Sequence, residues 1–301
     1  MPGGIGVIVK SIRRVAIVGG THGNEFTGAY LIKKFEQFPD LVKRTSFETL
    51  TVLGNPKAFD AVRRYIDEDL NRCFLQRDLQ DASLSSHEAM RAKTLNQILG
   101  SKGKAQMDFL LDLHSTTANM GLTLILVNRH PFNLKLAAYL SKINPLVKVY
   151  CWAQPGRENG FLNSLCELGF ALEIGPIAQG VLNAACLQKM EAFIHTVLDY
   201  LEMHNQGEDL AVENTLTLHQ HLSVIDYPKD AQGEIQAMIH PQLQNRDYEP
   251  LHPGDPMFLR LDGTPIFYQG ESTVWPMFIN EAAYYTKGIA MCLTQKQQVN
   301  F

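Results

Sequence analysis

Two kinds of apolar pattern alternate through the first two thirds of the chain. Val15-Ala16-Ile17-Val18 is a short, β-branched run that predicts a buried strand, and Gly19-Gly20 breaks it. Phe26, Tyr30, Leu31 and Phe35 then recur at helical spacing, which predicts a helix beginning near Asn24. Residues 49–53 predict a second strand ended by Gly54. Asn55-Pro56 suits a helix start, because proline fits a first turn where its missing N–H costs nothing. Residues 86–99 carry Ala89, Ala92, Leu95 and Leu99 on one helical face, closed by Gly100. Further strands are predicted over 109–113, 122–127, 147–152 and 170–174, and a helix over 134–143. Residues 187–201 form a strong amphipathic helix pattern, with Met190, Phe193, Ile194, Val197 and Leu198 on one stripe.

This alternation predicts an α/β fold, a sheet with helices on both faces. Ligands in such folds collect beyond the carboxyl ends of strands. After His204-Asn205-Gln206-Gly207 the texture changes. Residues 215–224 alternate, and turn signals follow at Tyr227-Pro228, Pro253-Gly254 and Asp262-Gly263. The reading is an α/β domain over 1–208 and a smaller β-rich domain over 209–301, with no internal repeat. Residues 1–8 are glycine-rich and read as a frayed tail.

Chemistry concentrates at the predicted strand ends. His22 and Glu25 lie three apart in the turn after the first strand, a spacing that can aim an imidazole and a carboxylate at one point. Asp112 and His114 share one face of a strand, by its period of two. His114 can therefore complete a His22, Glu25, His114 set for zinc, leaving a fourth position for water or substrate. The plainer alternative is a turn histidine and a hydrogen-bonded histidine at a strand end. Glu173 ends the run Phe170-Ala171-Leu172 just before Gly175-Pro176, near a cavity mouth. It reads as a general base or as half of a structural ion pair.

Composition narrows the classes. The chain has 301 residues, 45% hydrophobic and 19% charged, enough for a sizeable core. A net charge of −4 and a pI near 6.2 argue against a nucleic-acid partner. No stretch approaches the roughly 20 apolar residues of a membrane span. Five cysteines without paired spacing read as reduced thiols, and with no signal-peptide pattern the expected location is cytoplasmic. The scattered histidines His87, His195 and His204 are expected on the surface.

Four motifs resemble one family. Gly19-Gly20-Thr21-His22-Gly23-Asn24-Glu25, Asp67-Glu68-Asp69-Leu70-Asn71-Arg72, Asp112-Leu113-His114-Ser115-Thr116-Thr117-Ala118-Asn119-Met120-Gly121 and Asn280-Glu281-Ala282-Ala283-Tyr284-Tyr285 look like the aspartoacylase family. The similarity runs from about residue 14 to about residue 290. It implies a zinc-carboxypeptidase-like mixed sheet flanked by helices, with a β-rich domain helping to wall the active-site channel. It also implies one Zn2+ per chain on His22, Glu25 and His114, and a small N-acyl amino acid as substrate. Glu173 matches the family glutamate that activates the metal's water, and Arg64 the arginine that stabilises the oxyanion; neighbouring Arg63 is expected in solvent. Asn71 and Arg72 match the pair that binds the substrate α-carboxylate, for which a planar guanidinium is suited. Without the motif, Arg64 and Arg72 would read as solvated surface arginines. Tyr284 matches a tyrosine closing the pocket, and Phe278 is expected at its acyl end. Asp69 is expected to orient the arginines, and Asp112 to stand behind the metal ligand. Family members often self-associate, so a homo-oligomer is open, although no isolated apolar patch in the sequence speaks for one.

The chain departs from the aspartate-specific pattern in two places. Asn163 stands where that branch has an arginine for the substrate β-carboxylate, and Gly288 where it has a lysine, beside a retained Lys287. Arg157, in the loop Gln154-Pro155-Gly156-Arg157-Glu158-Asn159, would substitute if that loop folds inward. The glycine after Lys287 is more like the sister branch, the type-three aminoacylases, which prefer N-acetylated aromatic amino acids. The first expectation is therefore zinc-dependent hydrolysis of N-acyl-L-amino acids, N-acetyl-L-aspartate first among them. A deacylase for aromatic or neutral amino acids is the alternative. A peptide-cutting carboxypeptidase is disfavoured because the resemblance follows the deacylase branch. A zinc-free binding protein on the same fold is the remaining class.

Overall fold

The computed structural model describes residues 11–154, 156, 158–208 and 214–301. The glycine-rich tail, the loop residue Arg157 and the boundary expected near Asp209 lie outside the described residues. In chain order the first elements are β1 (Arg14–Gly19), α1 (Phe26–Gln37), β2 (Glu48–Leu53), α2 (Pro56–Asp60), α3 (Gln76–Gln80), α4 (His87–Leu99) and a two-residue hairpin, β3 (Gly100–Ser101) and β4 (Lys104–Ala105). There follow β5 (Phe109–Ser115), β6 (Gly121–Leu126), α5 (Pro131–Ile143), β7 (Val147–Cys151), β8 (Gly169–Gly175) and α6 (Ala184–Asn205). The last part holds β9 (Thr215–Asp226), β10 (Ala237–Ile239), β11 (Pro256–Arg260), β12 (Pro265–Phe267), β13 (Trp275–Met277) and β14 (Ile289–Asn300).

Nine strands form one sheet in the order β13-β14-β9-β7-β6-β8-β5-β1-β2. β2, β1, β5 and β8 run parallel; β6 reverses direction beside β8, and β7 and β9 follow β6. The sheet is therefore mixed. Its strands have the two-residue period expected of buried β structure, and that period separates two faces. Val15, Ile17, Phe109, Leu111, Leu113, Phe170, Leu172 and Ile174 pack in one core with α1, α5 and α6. Ala16, Val18 and Leu110 face the other way, against Ala92, Leu95 and Leu99 of α4. Asp112, His114 and Glu173 alternate with the first set, so they project from the face opposite α1, α5 and α6.

After α6 the chain divides its work. β9, β14 and β13 extend the large sheet, with β9 joined to β7 through Tyr150↔His219 and Cys151↔Gln220. β10, β11 and β12 form a separate three-stranded sheet over its own core around Tyr227, Phe258 and Tyr268. The large sheet thus passes through the expected domain boundary, a continuity that the turn signals of the sequence could not indicate.

Two local differences from expectation have physical causes. Helix α1 starts at Phe26 rather than near Asn24. Glu25 holds the N-cap position but makes no capping bond, because its carboxylate is turned to the histidines instead. His195 and His204 are half-buried rather than on the surface, their rings set edge-on against Phe35 and Phe132. The turn itself needs its glycines. Gly20 has φ +68, and a Cβ on Gly23 would lie 2.1 Å from the carbonyl carbon of Ala58 in α2. Gly23→Ala is therefore expected to push the His22–Glu25 turn off α2 and to destabilise by about 1–3 kcal/mol, since the clash is with backbone and cannot relax by a side-chain rotation. Urea unfolding of the variant beside the parent checks this.

Candidate active site

Two connecting segments and two strands deliver the core of the site. The turn after β1 brings His22 and Glu25, the segment after α2 brings Arg64, Asp69, Asn71 and Arg72, and β5 and β8 bring His114 and Glu173. The β5–β8 register pairs His114 with Glu173, and the β6–β8 register pairs Glu173 with Thr123. His22, Glu25 and His114 are all buried, and one ligand atom from each lies within 4.8 Å of the other two. Such a group could hold a metal ion.

The hydrogen bonds explain how the group is held. His22 Nδ1 is 2.6 Å from Glu25 Oε1, and His114 Nδ1 is 2.9 Å from Glu25 Oε2. Each ring has a second carboxylate behind it: His22 Nε2 meets Asp69 at 2.9 Å, and His114 Nε2 meets Asp112 at 2.8 Å. Thr21 Oγ1 donates to the other oxygen of Asp112 at 2.7 Å. A proton on each Nε2 serves the rear carboxylate. The two Nδ1 lone pairs then turn toward Glu25, acceptor against acceptor, an arrangement that calls for a cation or further protons between them.

The charges follow from this crowding. Burial would raise the carboxyl pKa of Glu25, but the imidazoles of His22 and His114 outweigh it and hold the group well below the usual carboxylate range. Asp69 is likewise held low against burial, by His22 and then Arg64. His114 is raised well above an ordinary imidazole despite burial, because Asp112 and Glu25 flank it. Glu173 goes the other way. Burial, and after it repulsion from Glu25, push its carboxyl well above the ordinary value. One carboxylate bound to cations and one poised to carry a proton therefore share a cavity.

Each sequence-selected residue can now be placed. Arg64 lies at 3.1 Å from Glu25 and 3.3 Å from Asp69, and its side chain is only 16% exposed, whereas Arg63 is exposed. Asp69 does orient Arg64, but its shorter contact is to His22, which the sequence reading had not assigned to it. Asp112 Oδ2 lies 2.8 Å from His114 Nε2. Asn71 puts Nδ2 3.4 Å from His114 Nε2 and accepts from Leu162 N at 2.8 Å. Arg72 lines the cavity with its guanidinium 4.6 Å from the Phe161 ring centroid. Tyr284, Phe278 and Glu173 line it too, as do Trp152, Phe161 and Tyr150, aromatic residues without a motif to announce them. Lys287 reaches to 3.6 Å from Asp69 Oδ2. Gly288 caps the short helix Ala282–Lys287 in the left-handed region at φ 73, a position where glycine is favoured for backbone reasons alone.

Asn163 also lines the cavity and is 2% exposed. Its Nδ2 points to Ile125 O at 3.5 Å, and its buried Oδ1 has no hydrogen-bond partner among the described residues.

Comparison with known proteins now identifies the lineage. Residues 11–201 match the succinylglutamate desuccinylase/aspartoacylase catalytic domain, and residues 214–296 the barrel-sandwich hybrid domain of the same group. The chain belongs to the succinylglutamate desuccinylase/aspartoacylase family. Among family members, a protein of a Nostoc species named "Probable aspartoacylase" is 60% identical over 97% of this chain and 99% of its own. The Homo sapiens "N-acyl-aromatic-L-amino acid amidohydrolase (carboxylate-forming)" is 43% identical over 95% of this chain and 92% of its own. The crystal structure of murine aminoacylase 3 superposes with a TM-score of 0.93 at 42% identity, covering 96% of this chain and 97% of that one. The α/β fold with a large mixed sheet and a β-rich C-terminal part is thus the fold of this family.

One residue of the family motifs had been given no role. Glu281 is buried and takes hydrogen bonds from Thr117 N at 2.8 Å, Thr117 Oγ1 at 2.9 Å, Ala118 N at 3.2 Å and Ala283 N at 3.0 Å, together with the Thr116 hydroxyl. It pins the helix that carries Tyr284 and Lys287 to the turn just after His114. Its partners lie about 165 positions away, so no local pattern could have revealed them. Glu281→Gln would set an amide NH2 against these N–H and O–H donors. A loss of about 1–3 kcal/mol in unfolding free energy is expected, measured by urea denaturation.

Proposed function

We infer that this chain is a zinc-dependent amidohydrolase of N-acyl-L-amino acids, and that its first substrate is N-acetyl-L-aspartate, cut to acetate and L-aspartate. The observation that carries the reading is the convergence of His22, Glu25 and His114, each imidazole backed by its own buried carboxylate. The donor set is two imidazole nitrogens and one carboxylate, which suits a catalytic zinc with an open position. These three residues would hold the ion, one per chain. When bound, zinc polarises an amide carbonyl and lowers the pKa of a water toward about 7.

The protein's own groups do the rest. Glu173, whose raised pKa suits a proton carrier, takes the proton of the attacking water and delivers it to the leaving amine nitrogen. Arg64, kept charged by Asp69 and Glu25 against burial, faces the negative charge that develops on the carbonyl oxygen. Asn71 and Arg72 receive the α-carboxylate. Tyr284, held as a neutral phenol mainly by burial, and Phe278 close the pocket from the C-terminal part. The relatives named aspartoacylase, at up to 60% identity, favour aspartate. The site in this reading belongs to a catalytic domain over 1–208, capped by residues 209–301. Five cysteines without disulfides suit a reducing, cytoplasmic setting.

A second reading has its own observation. Asn163 presents a neutral amide where a cation would pair with a substrate carboxylate, and Trp152, Phe161, Tyr150 and Phe278 supply aromatic walls. These features favour a neutral or aromatic side chain, as in the relatives named N-acyl-aromatic-L-amino acid amidohydrolase.

One experiment decides between these readings and a second tests the mechanism they share. On one zinc-loaded preparation, kcat/KM is compared for N-acetyl-L-aspartate and N-acetyl-L-tyrosine. A preference for aspartate supports the first reading, and the reverse supports the second. Glu173→Gln is expected to lower kcat by about 10²–10⁴-fold with zinc still bound near one per chain. Full activity in that variant, or a parent protein active without zinc, overturns the mechanism.

A further inference from the structure

A buried carboxylate behind the site has no place in the chemistry described so far. Glu88, on the first turn of α4, has no exposed surface. Its charge is met by neutral N–H groups. Oε1 accepts from Ile66 N at 2.7 Å and from Asn55 Nδ2 at 2.9 Å; Oε2 accepts from Asp67 N at 3.0 Å and Glu68 N at 3.2 Å. Burial opposes ionisation, yet these donors hold the carboxyl below its ordinary value, so the group is a buried anion. Three consecutive backbone amides turned to one carboxylate make a cradle of the kind that backbone forms around anions. Here the anion is the protein's own.

The cradled segment matters because of what flanks it. Arg64 precedes Ile66 by two residues, and Asp69, Asn71 and Arg72 follow Glu68 within four. All four line the cavity or contact a residue that does. The segment is tied down again at both ends. Gly23 N donates to Arg64 O at 3.2 Å, His87 N donates to Asp67 Oδ2 at 2.7 Å, and the Ser86 hydroxyl donates to Glu68. Residues 82–86 are mostly exposed. Apolar packing holds the segment only through Leu70, buried in one core with Ala92, Leu95 and Leu99 of α4, so among the described contacts polar ones shape residues 64–69.

We propose that Glu88 is a positioning residue for the deacylation, its carboxylate folding segment 64–72 so that Arg64, Asp69, Asn71 and Arg72 reach the cavity in one geometry. The proposal rests on the hydrolytic reading above. It assigns to α4, which contributes no side chain to the cavity, control over both the oxyanion arginine and the α-carboxylate pair. Glu88 acts through these residues and does not touch substrate. The metal ligands His22, Glu25 and His114 lie outside the segment, but Asp69 within it backs His22, so zinc content is measured beside the kinetics and the kinetic comparison is made at saturating zinc.

The test replaces the acceptor without changing its size. Glu88→Gln presents an NH2 to at least one pair of N–H donors. It is expected to raise KM and lower kcat together, for a fall in kcat/KM of about 10- to 100-fold, with zinc still bound. Asn183→Ala, which removes the N-cap of α6 and is not among the residues that line the cavity, is the control for stability. It should lower the melting temperature while leaving kcat and KM as in the parent. Hydrogen exchange on the unaltered protein gives a second readout that needs no variant. The amides of Ile66, Asp67 and Glu68 should be strongly protected, and in Glu88→Gln that protection should be lost while that of α4 is kept. Parent-like kcat and KM in Glu88→Gln would overturn the proposal. So would three amides in the unaltered protein that exchange as fast as those of the exposed residues 82–85. A parent that hydrolyses no N-acyl amino acid would defeat the functional reading instead, and the exchange result would still decide whether Glu88 holds the segment.

Discussion

The Glu25 carboxylate is the point on which the site depends. One oxygen faces His22 and Arg64; the other faces His114 and accepts from Ser115 N at 3.1 Å. A buried carboxylate is costly unless it is met on every side, and here it is met by four groups from three separate segments. The consequences run outward. Glu25 forgoes its capping bond to α1, so that helix begins without one. The turn must lie against α2, which admits only glycine at Gly23. The imidazoles that face Glu25 need partners on their far sides, which Asp69 and Asp112 supply. Glu173, one strand over, is then repelled and holds its proton more tightly.

The sheet was legible from the chain because its strands are short, β-branched and buried on both faces. Val15–Val18 and Phe170–Ile174 could hardly be read otherwise. The sharing of one face by Asp112 and His114 followed from strand period alone. Less visible were the features set by distant partners. The reversal of β6 beside β8 depends on pairing, not on local pattern. Helix α6 runs from Ala184 to Asn205, beyond the stripe that signalled it, because its ends are fixed by the Asn183 cap and by the bonds of Asn205 to Ile12. Asp69 was recognised as a partner of arginine and not of His22. The buried roles of Glu88 and Glu281 left no trace in sequence, since nothing local distinguishes a carboxylate that will be cradled from one that will be solvated. The assignment of roles to Arg64, Asn71 and Arg72 came from family motifs; spacing alone offered only three polar residues near a turn.

Chemistry and selectivity occupy different elements of this molecule. Glu173, the proposed proton carrier, and the candidate metal ligands stand on the ends of β5 and β8 and the turn after β1, and all are buried. The aromatic walls and Asn163 come from the end of β7 and the connection before β8, with Phe278 and Tyr284 reaching in from the C-terminal part. The first set is constrained by its mutual hydrogen bonds. The second is constrained mainly by packing, which tolerates exchange of one apolar shape for another. Relatives named for aspartate and for aromatic amino acids at 60% and 43% identity fit this division.

The clamp made by Glu281 also bears on how the molecule is built in time. A chain emerging from the ribosome presents His22, Glu25 and His114 within its first 114 residues, and β8 with Glu173 soon afterwards. The roof arrives last. Its attachment spans 163 to 165 positions. Contacts of such separation form late, because a long loop must be closed before they return any energy. The nascent centre therefore stands open to ions and solvent while the final third is being made. The helix bearing Tyr284 and Lys287 then docks over a centre that is already assembled.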